Sequence, residues 1–143
     1  MKTKKRNDEL ISRAYDLLTG GKSDYAKNLF EPGKKFIKKS FASQVAAFSV
    51  SVAMIGLKPT LAMYYKQGGA AVDTHNIIGI IAEMLVLDGY TFQDQSSSLA
   101  KNLFEYAMNK DKQVNEDKKL LRDVIDNAIA LKVVVRTFLN DEE

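Results

Sequence analysis

The chain has 143 residues, 45% of them hydrophobic, with 21 Lys and Arg against 18 Asp and Glu. That length and apolar fraction suit one domain with a real core, and two prolines and eight glycines do not suggest disorder. There is no cysteine, which excludes disulfides, thiolate zinc sites, iron–sulfur ligation and thiol nucleophiles together.

The charge is uneven along the chain. Residues 1–40 hold eleven Lys/Arg against five Asp/Glu, a net of +6, whereas 41–100 carry a net of −2 and 101–143 a net of −1. A basic N-terminal region suits an anionic partner, nucleic acid first and lipid second, and equally a solvated lysine-rich face. Met1 to Asp8 is basic and polar with no short apolar run behind it, so no secretory signal is read and a cytoplasmic location is expected.

The first predicted helix covers Lys5 to Leu18. Leu10, Ile11, Ala14, Leu17 and Leu18 recur at three- and four-residue steps and share one face. Gly20-Gly21 stops it. Asp24 to Phe30 is expected to make one or two turns before the break at Glu31-Pro32-Gly33. From Lys34 the sequence predicts helix again, and it pairs Lys34 with Lys38 and Lys35 with Lys39 in two adjacent basic rows.

That helix is expected to run on through Phe41 to Ile55, where apolar and small residues point in nearly every direction, the pattern of a buried helix. Phe41 to Leu57 is seventeen residues, shorter than the ~20 that span a bilayer, and it contains Ser43, Gln44, Ser49 and Ser51. Core packing is therefore preferred to a membrane span. Gly56 is read as a left-handed cap, and Pro59 opens the next helix, which reaches Gln67.

Asp73 or Thr74 caps a further helix over Ile77 to Val86, closed by Asp88-Gly89. Another covers Gln95 to Asn109. Asn115 caps the last, with Glu116 and Asp117 complementing its dipole. Leu120, Val124, Ala128, Leu131, Val135 and Leu139 belong to its long apolar stripe. The prediction is an all-α fold: a compact bundle of about five or six helices in a single domain over 1–143, with a short acidic tail at 140–143.

Catalytic chemistry is hard to place in this sequence. His75 is the one histidine and lies two residues after Asp73. An acid–base pair there is the enzyme reading, and a shared capping turn is the preferred one. Asp123 and Asp126 are three apart beside Lys119 and Arg122, which reads as a solvated helix face rather than a metal or glycosidase pair. No phosphate-binding glycine motif occurs. The expectation is a protein that is not an enzyme, with no catalytic residue, metal site or cofactor.

Basic and aromatic residues do mix: Lys34, Lys35, Lys38 and Lys39 accompany Phe36 and Phe41, and Lys58 and Lys66 bracket Tyr64 and Tyr65. Lysines neutralise phosphates without reading sequence, and exposed tyrosines can stack on bases. Core packing is the ordinary role of the tyrosines.

Met54-Ile55-Gly56-Leu57 followed by Thr60-Leu61-Ala62, with Lys132, Arg136 and Phe138 near the end of an Ala/Leu-rich last helix, resembles the small α-helical subunit of type III-B CRISPR (Cmr) effector complexes. The likeness covers roughly residues 40–67 and 125–139. Ile55 stands where the family commonly has a polar residue, and Ala53 where it has a proline. The resemblance implies a non-catalytic subunit in antiviral defence that stacks beside a crRNA-bound backbone and lines a basic channel along the guide–target duplex. It implies as partners copies of the chain, other effector subunits and the crRNA/target backbone, with no membrane and no small-molecule substrate. The RNA-binding candidates are Lys34, Lys35, Lys38, Lys39, Lys58, Lys66, Lys132 and Arg136. The competing reading is a helical adaptor that binds a partner protein through the Leu120-to-Leu139 stripe.

Overall fold

The computed structural model describes residues 2–65, 74–92, 98–109 and 114–139. Within these it is all-α, with seven helices: α1 (Lys2–Thr19), α2 (Asp24–Lys27), α3 (Lys39–Ile55), α4 (Leu57–Tyr65), α5 (His75–Leu87), α6 (Leu99–Met108) and α7 (Val114–Arg136). The count exceeds the expected five or six because the Asp24 turn is a helix of its own, started by Ser23, whose Oγ accepts from the Ala26 N–H. Gln67, Asp73, Gln95 and the acidic tail lie outside the described residues, as does Lys66.

The helix buried on all sides is α5, not α3. Ile77, Ile78, Ile80, Ile81, Ala82, Met84 and Leu85 are all fully buried, because α1, α2, α4, α6 and α7 surround α5. Among the described residues α3 packs chiefly on α4 and α7. It buries Phe41, Val45, Phe48 and Val52 and leaves Val50, Met54 and Ile55 exposed. Among the described residues no helix is long and apolar enough to cross a membrane.

The α3–α4 hairpin follows its sequence closely. Gly56 has φ +100° and ψ 163°, an extended mirror-image conformation open to glycine rather than the left-handed helical one expected. The Tyr64 hydroxyl donates to the Gln44 carbonyl at 3.1 Å, and Ser51 and Thr60 share a hydrogen bond of 2.8 Å. The edge of Tyr64 meets Phe48 with ring centroids 5.0 Å apart. Tyr65 stacks on Phe104 at 4.7 Å. Both tyrosines therefore serve packing, the ordinary reading of the sequence.

Asp123 and Asp126 do not form a solvated face. Asp123 is buried and accepts from Arg6 at 2.9 Å, from the Tyr90 hydroxyl at 2.6 Å and from Lys119 at 2.8 Å. Arg6 also bonds Asp88 at 3.0 Å and Asp126 at 3.1 Å, and Arg13 bonds Asp88 at 2.7 Å. The network ties α1 to the end of α5 and to α7. Its charges lie about 80 and 120 residues apart in sequence, too far for local spacing to reveal.

Candidate nucleic-acid interface

The lysine rows expected from Lys34 to Lys39 are not helical. Glu31-Pro32-Gly33 opens a turn in which the Glu31 N–H donates to the Phe36 carbonyl at 2.9 Å and Gly33 takes φ +72°. The chain bends through Lys34 to Phe36 and is extended at Lys38, with φ −59° and ψ 132°. Its donors are spent on distant partners: the Ile37 N–H on the Phe138 carbonyl at 3.0 Å, the Lys38 N–H on the Leu29 carbonyl at 3.1 Å. Those bonds replace the i to i−4 pattern a helix would need.

The same bonds place the start of α3 against the end of α7. Lys34 and Lys35 are exposed on the turn, Lys39 is exposed as the first residue of α3, and Arg136 is exposed in the last turn of α7. Lys38 is half-buried, with its Nζ 5.6 Å from the centre of the Phe41 ring. Lys132, also half-buried, lies one helical turn before Arg136. None of these six cations has an ion pair among the described residues. Lys58 does not join them. It is exposed at the second position of α4, at the far end of α3 and so roughly 25 Å from Lys39 by helical rise.

The first turn of α3 adds to the positive potential. It contains no acid, and no side chain caps it. Lysines at a helix N-terminus oppose the dipole and cost stability, whereas an anion there would be stabilised. Arg136, at a C-terminus, complements its own helix. Exposed cations beside an uncapped helix start are the chemistry that suits a phosphate group.

Sequence reasoning missed Tyr15. It lies on α1, is 52% exposed, and stacks on Phe138 with centroids 6.1 Å apart and planes at 29°. Its signal was an aromatic ring off the apolar stripe of Leu10, Ala14 and Leu18.

An open cleft of about 510 Å³ beside Arg6, Asp88 and Asp123 is filled with mutually paired charges. Burial and the bond to Asp123 push the Tyr90 hydroxyl well above its ordinary range, so it stays protonated. His75 is half-buried against the rings of Tyr65 and Tyr25, at 5.1 and 6.1 Å, and Asp73 lies outside the described residues. Among the described residues no group of three or more His, Asp or Glu could hold a metal ion. Comparison with protein families, with curated proteins and with solved structures gives no match.

Proposed function

We propose that the chain is a non-catalytic, RNA-contacting structural subunit of a cytoplasmic type III-B CRISPR effector complex. The observation that carries the RNA contact is the junction of α3 and α7, where Lys34, Lys35, Lys38, Lys39, Lys132 and Arg136 have no acidic partner among the described residues and flank an uncapped helix start. Such a surface recognises phosphate and shape, leaving sequence to guide pairing. The assignment to the complex rests on the resemblance of the hairpin and of the end of α7. Val50, Met54 and Ile55 on α3 and Met63 on α4 are exposed and supply apolar surface for neighbouring subunits. The adaptor reading is weakened: Leu120, Val124, Ala128, Leu131 and Val135 are buried in the chain's own core, whereas Ile125, Phe138 and Leu139 are half-buried and Leu121 is exposed.

A salt titration of single-stranded RNA binding tests the contact. The wild-type chain is expected to bind weakly and to lose affinity as salt rises. Lys35→Glu/Lys38→Glu/Lys39→Glu should abolish most binding and lower the slope of log K against log salt by about 2, since each phosphate contact on a single strand contributes about 0.7. Equal affinity of the variant and the wild type overturns the residue assignment. Co-expression with the backbone subunits of such a complex, read by co-purification, separates an effector subunit from a free RNA-binding protein.

A further inference from the structure

All six tyrosines and seven phenylalanines lie in the described residues, and only Tyr15 and Phe36 are exposed. Both are at the α3–α7 junction. Tyr15 stacks on Phe138, and the Phe138 carbonyl accepts from the backbone of Ile37, the neighbour of Phe36. Phe138 is itself held edge-on by Phe30, with centroids 5.5 Å apart and planes at 83°. One face of the Tyr15 ring is thus backed by a fixed ring, while about half of the residue faces solvent.

Exposed aromatic surface is costly to leave in water, and a chain that buries or half-buries eleven of its thirteen rings keeps these two beside six cations. Asp16 adjoins Tyr15 in sequence, and the Glu31 N–H donates to the Phe36 carbonyl. Resting on the reading of the junction as a nucleic-acid interface, we infer that Tyr15 and Phe36 are a stacking platform for unpaired bases. The lysines and Arg136 hold the phosphates, and the rings take base faces that a duplex keeps inside its own stack. The rings therefore add affinity for RNA that offers unpaired bases, on top of the phosphate contacts that paired and unpaired RNA share. The Tyr15 ring needs little reorganisation to accept a base, because Phe138 already fixes its orientation.

The test measures the affinity of the full chain for a 20-nucleotide single-stranded RNA and for the same RNA in a duplex, at one salt concentration. The wild type should favour the single strand. Tyr15→Ala and Phe36→Ala should each lower the single-strand to duplex affinity ratio about tenfold. Tyr15→Phe, which keeps the ring, should restore the ratio. Phe36 makes no ring contact among the described residues, so its variant reports on stacking even if Tyr15→Ala loosens the packing on Phe138.

A ratio unchanged by both alanine variants, while the charge-reversed lysine variant still loses binding, overturns the platform and leaves the phosphate interface standing. Loss of self-association in the alanine variants, with RNA affinity untouched, makes the rings a protein contact and also overturns it. A wild-type chain that binds neither RNA form, with the lysine reversals without effect, overturns the interface and the platform together.

Discussion

Asp123→Ala is expected to destabilise the fold by about 2 to 3 kcal/mol, the loss of a buried carboxylate that accepts three hydrogen bonds from partners a third or more exposed in the case of Arg6 and Lys119. Asp123 sits inside the bundle on α7 and accepts from Arg6, Tyr90 and Lys119. Removing it withdraws one acceptor from each of three donors. Arg6 would keep Asp88 and Asp126, so α1 stays attached by two bonds rather than three. Asp123→Asn, which keeps one acceptor oxygen, should fall between the wild type and the alanine variant. Urea unfolding measures both, and a loss under about 1 kcal/mol for alanine would contradict the role assigned to the network.

The same network has a pH signature through Asp88. Burial pushes its carboxyl up, but the hydrogen bonds and charges of Arg6 and Arg13 outweigh this and hold its pKa below the ordinary 3.8. The unfolded chain therefore takes up this proton first as pH falls. The stability Asp88 contributes is complete above 3.8 and is lost as pH drops below it towards the folded value. Glu83, raised by burial against the bond from Ser23, works in the opposite sense. Its contribution is complete below 4.5 and is lost as pH rises from there through the higher folded-state value.

Gly79→Ala is the second large effect, a net destabilisation of about 1 to 2 kcal/mol. Alanine normally gains about 1 kcal/mol over glycine inside a helix. Here the added methyl would fall inside contact distance of Cγ, Cδ1 and Cε1 of Tyr25. The ring would have to lift away from α5. Its hydroxyl, which accepts from the Ala100 N–H at 3.3 Å, would then release the start of α6. Overpacking of this kind costs roughly 1 to 3 kcal/mol or more and outweighs the propensity gain. The sharper measurement is the double variant. In a Tyr25→Ala background the obstruction is gone, so Gly79→Ala should turn stabilising by thermal unfolding. The same sign in both backgrounds would show that Tyr25 does not explain the glycine.

Much of the secondary structure was legible because its signals are local. Gly20-Gly21, Gly56 with Pro59, and Asp88-Gly89 mark breaks that sit where the chain turns. What failed depends on neighbours that only the fold supplies. The even apolar pattern of α3 suggested full burial, but two adjoining helices cover just one side of it, whereas five surround α5. The stretch from Lys34 to Lys38 has helix-forming residues, yet its backbone is claimed by Phe138 and Leu29 across the fold. For the candidate interface, the sequence identified the lysines but grouped them by helical spacing. The α3–α7 contact groups them instead with Arg136, separates Lys58 from them, and adds Tyr15 from a helix that had no part in the expectation.

The most direct measurement is a map of backbone amide shifts in the isotope-labelled chain as single-stranded RNA is added at low salt. Shifts concentrated at residues 34–39 and 132–138 and around Tyr15 are the predicted result, fading as salt is raised. Shifts concentrated instead on the outward face of α3 and α4, around Val50, Met54 and Met63, would contradict the account, as would a spectrum that RNA leaves unchanged.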